Sequence, residues 1–122
     1  MRDILKAMGL GHERAKLAFE IFVHRLRSAI GAMVAVLGGI DSLIFTAGVG
    51  ENSSDVRAAI CDTLGFLGVK LELQLNARPK LDADISSPES RVRVLVIRAE
   101  EDWAIAAECW KIVHAGATVG KA

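Results

Sequence analysis

The pattern of hydrophobic and polar positions predicts one long helix near the start of the chain. Between Glu13 and Leu37, hydrophobic residues recur at steps of three and four, the spacing that lines one face of a helix. Polar residues are concentrated in the first half, so the second half is predicted to be the more deeply buried. Gly38 and Gly39 follow, and glycine is a typical stop signal at a helix C-terminus.

Three further segments have the pattern of strands. Ser42–Thr46 is a short hydrophobic run, which predicts a central strand covered on both faces. Arg91–Ile97, with the sequence RVRVLVI, is the clearest strand signal in the chain, and Val69–Leu75 alternates well enough for another. Residues 76–90, which separate Val69–Leu75 from Arg91–Ile97, have the pattern of a loop with one short strand.

Two more helices are predicted, one after each of the clearest strands. Asn52, Ser53 or Ser54 can cap the first, which glycines at 65 and 68 would close. Its apolar face comprises Val56, Ala59, Ile60, Leu64 and Leu67. The second helix follows Ile97, and its apolar face, in the core or at a subunit contact, comprises Trp103, Ala106, Ala107, Trp110 and Val113.

This order of elements predicts an α/β fold with a small, largely parallel sheet packed by three main helices. In such sheets ligands bind beyond the carboxyl ends of the strands. Two strands end in suggestive sequences at that edge. Phe45 leads into the segment Gly48–Asn52, and Ile97 leads into three consecutive acidic residues, Glu100–Asp102.

Composition limits the possible functions. A length of 122 residues suits a single domain, residues 1–122, with its own core. Lys plus Arg equals Asp plus Glu at 15 each, which argues against nucleic acid or an anionic membrane as a partner. The N-terminus lacks the apolar stretch of a signal peptide, and glycines and Asp41 interrupt the most apolar segment. Cys61 and Cys109 read as buried, reduced thiols. A cytoplasmic protein is expected.

The segment Gly48–Asn52 has more than one interpretation. Gly48 and Gly50 match a dinucleotide fingerprint only loosely, with Ser53 as the third small residue and Glu72 as the distant carboxylate. The Gly-Lys-Ser/Thr of a phosphate loop is absent. A tight turn that needs glycine backbone angles explains the same sequence equally. The negative charge of Glu51 disfavours direct binding of phosphate. It favours a contact of this side chain within the turn, or with a sugar or base.

The acidic residues Glu100, Glu101 and Asp102 also have two interpretations. Carboxylates in the first turn of a helix offset its macrodipole, by about 0.3–1 kcal/mol each. A carboxylate at the end of a strand in this position can also hold a hydrated Mg²⁺ beside a nucleotide. The residues alone favour the first interpretation.

Several segments in order resemble the acetate kinase family, which includes propionate and butyrate kinases. They are RDI, LAFEIFVHRLRSAIGA, FTAGVGENSSDVR, LGVKLE, Asn76, Ile85-Ser86 and VRVLVIRAEEDWAIA, and they span Arg2 to about Val113. The resemblance implies an actin-like, sugar-kinase-like ATPase fold of the ribonuclease H-like class, here its C-terminal domain. It implies reversible transfer of the γ-phosphoryl group of ATP to acetate, giving ADP and acetyl phosphate, with Mg²⁺.

The resemblance also implies a nucleotide site. In the family the GxGEN turn wraps the adenosine, so Gly48, Val49, Gly50 and Asn52 are expected nucleotide contacts, with Glu51 supporting the turn. Arg2 matches the arginine that packs against the adenine in the family.

A metal carboxylate is implied as well. Glu100 matches the first glutamate of the family's TNEEL segment, which is associated with Mg²⁺ binding. Here that segment reads RAEED, with Arg98, Ala99 and Asp102 substituted.

The N-terminal half of the family, with the acyl pocket and the groups that stabilise the transferring phosphoryl, has no counterpart in these 122 residues. No residue of the chain is therefore assigned as catalytic, and the chain alone is expected to catalyse poorly or not at all. Three interpretations of the chain stay open, namely a kinase component, a truncated gene product, and a non-catalytic nucleotide-binding or dimerisation module. A dinucleotide oxidoreductase is disfavoured. The family dimerises through this domain, so a homodimer is expected.

Overall fold

A computed structural model describes residues 1–80 and 82–116 of the chain. The elements in order are α1 (Arg2–Gly9), α2 (Glu13–Leu37), β1 (Ser42–Phe45), α3 (Ala47–Asn52), α4 (Ser54–Asp62), a 3₁₀ turn (Gly65–Leu67), α5 (Leu73–Ala77), β2 (Ala83–Asp84), β3 (Arg93–Val96) and α6 (Glu101–Gly116). The predicted domain of residues 1–122 therefore extends a few residues beyond the described part at its C-terminal end.

The sheet is small and mixed, in the order β1-β3-β2. β1 and β3 run parallel, with Phe45 opposite Val96, and β2 pairs antiparallel with β3. The prediction that Ser42–Thr46 forms a central, doubly covered strand is wrong in position. Among the described strands β3 is the central one, whereas β1 lies at an edge and its Ile44 is 53% exposed.

One hydrophobic core joins this sheet to α2 and α4. Val94 and Val96 of β3 are fully buried and meet Ile60 of α4 and Val23 of α2 in the same cluster. Alternation along β3 places these valines on one face, which gives the sheet a covered side. The core therefore packs the buried valines of β3 against α2 and α4.

The long helix begins and ends where its periodicity predicts, at Glu13 and Leu37. Gly38 ends it in the left-handed conformation, with φ of 74°. The predicted deeper burial of its second half is wrong. Val23, in the first half, is its buried residue, while Met33, Val36 and Leu37 are exposed, since no described element covers that end.

The predicted strand Val69–Leu75 is also wrong. Val69 and Leu71 make isolated bridges to the described residues Val92 and Ser86, and α5 begins two residues after Leu71. The Glu72 side chain accepts a hydrogen bond from the N–H of Gln74, an N-terminal cap that starts a helix in place of an extended strand.

Two sequence expectations for the last helix are corrected. Cys109 is exposed, although Cys61 is buried as expected. Trp103 and Trp110 are exposed as well, which rules out the core interpretation of that face within the described residues. Helix α1 was not predicted, and it packs against α2.

Candidate nucleotide site

The Gly48–Asn52 segment forms a short helix, α3, and not the turn that its glycines predict. Thr46 is extended and Ala47 takes a φ of +57°, so the chain reverses sharply where β1 ends. The first turn of α3 then starts at the carboxyl end of the sheet, where ligand crevices form in α/β folds.

The two glycines of α3 have different structural roles. A Cβ on Gly50 would lie 3.2 Å from the carbonyl carbon of Phe45, because the helix packs closely on the end of β1. A Cβ on Gly48 would meet no atom within 4 Å. Close packing therefore explains Gly50, whereas Gly48 borders open space.

That open space is a cavity of about 280 Å³ between α1 and α3. Its lining brings together Arg2, Gly48, Val49 and Asn52 from the predicted nucleotide contacts. The remaining lining residues are Met1, Leu5, Ser53 and Asp55. Residues separated by more than forty positions in sequence thus meet at one site.

Asn52 and Ser53 stabilise the wall of this cavity. The Asn52 side-chain amide donates to the carbonyl oxygen of Gly48 at 2.9 Å, which closes α3 on itself. Ser53 is the N-cap of α4, and its hydroxyl accepts from the N–H of Val56 at 3.4 Å. Of the three caps that the sequence allows, the structure uses Ser53.

Behind the wall lies a buried arginine, whose role the sequence reasoning missed. Arg57 is 1% exposed and donates four hydrogen bonds. Its acceptors are the carbonyl oxygens of Gly50 (2.7 Å), Glu51 (2.9 Å) and Asn76 (2.7 Å) and the Oδ1 of Asn76 (2.8 Å). Since all four are neutral oxygens, burial dominates and lowers the pKa of the Arg57 guanidinium.

Asn76 completes this network. Its side-chain nitrogen donates to the carbonyl oxygen of Ser54 at 3.0 Å, so one buried Arg–Asn pair ties α3, α4 and α5 together. Every carbonyl that Arg57 binds near α3 belongs to the last turn of that helix. One sequence signal could have identified this network. It is the position of a charged residue, Arg57, on the otherwise apolar face of the helix that starts at Ser54.

Glu51 does not line the cavity and contacts the second candidate loop instead. Its Oε1 accepts a hydrogen bond from the N–H of Ala99 at 2.9 Å. The neighbouring N–H of Arg98 donates to Oδ1 of Asp82 at 3.0 Å. Carboxylates therefore accept from two consecutive backbone N–H groups, those of Arg98 and Ala99, in the loop that carries Glu100.

Glu100, the predicted metal carboxylate, is exposed and has a φ of +49°. Its carbonyl oxygen accepts from the N–H of Ala104, so it starts the last helix. Glu101 and Asp102 occupy the first helical turn, as the capping interpretation expects. Over residues 1–80 and 82–116, no three His, Cys, Asp or Glu side chains are grouped as a metal site would require.

A larger cavity of about 610 Å³ lies elsewhere, between α4 and the segment around Val69. Cys61 borders it, but burial raises the pKa of this thiol to about 12, against a smaller opposing effect of Arg57. A protonated thiol is a poor nucleophile. In the part of the chain that the structure describes, no helix has the length and hydrophobicity to cross a membrane.

Comparison with known proteins identifies relatives over most of the chain. The family model for the acetokinase family matches residues 1–107. An acetate kinase from Nostoc punctiforme is 58% identical over 113 residues, which are 93% of this chain and 28% of that protein. The chain therefore spans little more than a quarter of the length of this curated relative.

Solved structures give the same result. The acetate kinase from Entamoeba histolytica superposes with a TM-score of 0.82 at 32% identity, over 90% of this chain and 30% of that one. A propionate kinase from Francisella tularensis gives a TM-score of 0.71 at 32% identity, over 80% and 24%. The expected fold class is confirmed as part of the fold of these kinases, and the chain belongs to the acetokinase family.

Proposed function

We propose that this chain is the nucleotide-side domain of an acetate kinase, residues 1–122, and that the cavity between α1 and α3 binds the adenosine of ATP or ADP. The observation that carries the proposal is the convergence of Arg2 with Gly48, Val49 and Asn52 around one cavity. Its volume of about 280 Å³ lies just below the range of about 300–1,000 Å³ for small-molecule pockets. This size suits a nucleoside better than a whole triphosphate.

The charges around the cavity also favour a nucleoside over a triphosphate as its occupant. Arg2 supplies a planar cation that can stack on a base, and Asp55 supplies acceptors for ribose hydroxyls or an exocyclic amine. A carboxylate in the wall disfavours a triphosphate at that position. In this proposal Gly50 and Glu51 position the wall, through packing on Phe45 and the bond to Ala99.

Glu100 is proposed as a ligand for the Mg²⁺ that accompanies ATP. Mg²⁺ bound with a nucleotide commonly takes one or two protein carboxylates and completes its shell with phosphates and water, so one exposed carboxylate fits that role. The ion would neutralise charge on the phosphates during transfer. Within the chain, Glu51 and Asp82 fix the backbone of the loop that carries Glu100.

The reaction proposed for the complete enzyme is reversible phosphoryl transfer between ATP and a short-chain carboxylate, acetate in the first instance. Propionate or butyrate is the alternative acceptor. Because transfer needs positioned charge around the moving phosphoryl group, we propose that this chain alone transfers it poorly or not at all. The activity is proposed to be cytoplasmic, where ATP is supplied.

We also propose self-association as a homodimer, with the exposed apolar face of α6 as one contact. Trp103 and Trp110 are both largely exposed there, and such aromatic residues are enriched in interfaces. Light scattering of the chain and of the variant Trp103→Ser/Trp110→Ser tests this, since the variant should be monomeric.

Calorimetry with ADP tests the nucleotide site directly. Arg2→Ala should weaken binding by at least about tenfold, or about 1.4 kcal/mol. Arg27→Ala, at an exposed position of α2 outside the cavity, is the matched control and should bind like the parent chain. Equal affinities for both variants, or no binding by the parent at millimolar ADP, would reject the adenosine site. A non-catalytic nucleotide-binding module gives the same binding but no phosphoryl transfer even within a complete enzyme.

A further inference from the structure

The larger cavity, between α4 and the segment around Val69, has the size and lining of a small-molecule site. Its volume of about 610 Å³ lies within the range of about 300–1,000 Å³ that ligand pockets occupy. It shares no lining residue with the cavity between α1 and α3. We call it the α4–Val69 cavity, and its apolar lining comprises Ala58, Ala59, Cys61, Val69, Leu71 and Leu73.

The α4–Val69 cavity is bounded by two walls that the fold itself positions. On one side α4 presents the small side chains of its two alanines, which leave space that a larger residue would fill. On the other side the chain is fixed by backbone bridges from Val69 to Val92 and from Leu71 to Ser86. Because backbone pairing holds this second wall, the cavity is formed before a ligand enters it.

One polar group in the lining has an unused capacity for hydrogen bonding. Ser87 lines the cavity, and its Oγ is buried without a hydrogen-bond partner among the described residues. The backbone of Ser87 is fixed, since its N–H donates to the carbonyl oxygen of Lys70 at 2.9 Å. A buried hydroxyl without a partner is costly, and such groups are rare in native structures. A ligand in the cavity can supply the missing partner.

The charges at the cavity indicate the sign of its ligand. Asp62 of α4 and Lys70 of the opposite wall are its two charged lining residues. The Lys70 ammonium is bonded to the Glu89 carboxylate across 2.7 Å, so its charge is compensated. Over residues 1–80 and 82–116, no Lys, Arg or His forms an ion pair with Asp62. The uncompensated charge at the cavity is therefore negative, which favours a cation.

We propose that the α4–Val69 cavity binds a small molecule with a compact apolar body and one ammonium group. The apolar body lies against the alanines of α4 and against Val69, where it leaves water. The ammonium group lies beside Asp62, because an ammonium donates charge-assisted hydrogen bonds to a carboxylate. This site is separate from the proposed nucleotide site and stands or fails without it.

The test compares two probes that share one apolar body and differ in charge, adamantylammonium and adamantanecarboxylate. Each is titrated into the ¹⁵N-labelled chain at neutral pH, and the amide chemical shifts are followed. The proposal predicts saturable shifts at Ala58, Val69 and Ser87, with the ammonium probe binding at least about threefold tighter. No saturable shift at these residues, or a carboxylate probe that binds as tightly, would overturn the proposal.

A substitution of Asp62 tests the recognition of charge. Asp62→Asn should abolish the preference for the ammonium probe, so that the two probes bind about equally. Asp3→Asn, at an exposed position of α1 outside the cavity, is the matched control and should keep the preference. If the preference survives in Asp62→Asn, this carboxylate does not recognise the ligand and the proposal is wrong.

A substitution of Ala58 tests the position of the apolar body. Ala58→Leu fills part of the cavity and should weaken binding of the ammonium probe by at least about tenfold. Ala106→Leu, at an exposed position of α6, is the control and should bind the probe like the parent chain. Equal binding by both variants would place the probe elsewhere and overturn the proposal. Because Asp62 is exposed, Asp62→Asn should fold even where Ala58→Leu does not, and the probe preference then decides.

Discussion

The carboxylate of Glu51 accepts a hydrogen bond from the backbone N–H of Ala99 across 2.9 Å, although the two residues are 48 positions apart in the chain. This bond joins the end of α3 to the loop after β3. The Glu51 carboxylate therefore holds a neighbouring loop and does not line the cavity. The α3 residues that line the cavity are Gly48, Val49 and Asn52.

Removing this bond should loosen the loop that carries Glu100. We expect Glu51→Ala to lower the free energy of unfolding by about 0.5–1.5 kcal/mol, because a partly exposed hydrogen bond is lost. Glu51→Gln retains an acceptor oxygen and should lose less than half of that amount. The measurement is urea unfolding, together with hydrogen exchange at the Ala99 amide. Unchanged exchange at Ala99 in Glu51→Ala would show that the bond does not hold the loop.

The buried arginine should be essential for stability. Arg57→Met leaves the carbonyl oxygens of Gly50 and Glu51 and both oxygens of Asn76 without their donor, so we expect a loss of about 3–5 kcal/mol. Arg78→Met, at an exposed position, should change stability by less than about 0.5 kcal/mol.

A double-mutant cycle tests whether Arg57 and Asn76 act as one unit. The effects of Arg57→Met and Asn76→Ala should be non-additive by about 0.5–3 kcal/mol, as expected for residues in one hydrogen-bond network. Strict additivity in equilibrium unfolding would mean that the two residues stabilise the fold independently.

The two glycines of α3 should respond oppositely to alanine. Gly50→Ala forces a methyl group against the backbone of Phe45 and should cost about 1–3 kcal/mol of stability. Gly48→Ala meets no neighbour and should be neutral or stabilising by up to about 1 kcal/mol, because alanine favours a helix. Chemical denaturation measures both effects. If Gly48→Ala were the more destabilising, the described backbone of α3 would be wrong.

The two thiols should differ in reactivity and in their effect on stability. Cys109 should react with a thiol reagent in the folded chain, whereas Cys61 should react only on unfolding. The folded pKa of Cys61 is raised from 9.0 to about 12, so the folded state holds this proton more tightly than the unfolded state. The stability from the neutral buried thiol is therefore intact below about pH 9 and is lost as pH rises toward about 12.

The measurement is the difference in unfolding free energy between the parent chain and Cys61→Val, followed across that pH window. The parent should lose stability relative to the variant as pH rises. A difference that does not change with pH would show that Cys61 does not titrate with unfolding.

The sequence predicted the elements that local pattern determines. Helix α2 has the predicted bounds because a long three-and-four periodicity ends in two glycines, and β3 follows from an alternating valine run. Helices α3 and α5 were missed because the contacts that accompany them do not show in the hydrophobic pattern. Gly50 of α3 packs on Phe45, and α5 begins at the Glu72 cap and holds Asn76 against Arg57 of α4.

The candidate site, too, was only partly predictable from the sequence. The meeting of Arg2 with Gly48 and Asn52 was expected only from the family resemblance, since spacing alone cannot bring the N-terminus to α3. The bond from Glu51 to Ala99 was not predicted, because nothing local distinguishes it from a contact within a turn. Exposure of the C-terminal half of α2 was missed because periodicity identifies an apolar face but not whether the same chain covers it.

Titration of the ¹⁵N-labelled chain with ADP, followed by amide chemical shifts, tests the central claim most directly. The account predicts saturable shifts concentrated at Arg2, Gly48, Val49 and Asn52, and much smaller shifts around Cys61 in the larger cavity. Shifts that centre on the larger cavity, or no saturable shift at the α1–α3 cavity at millimolar ADP, would contradict it.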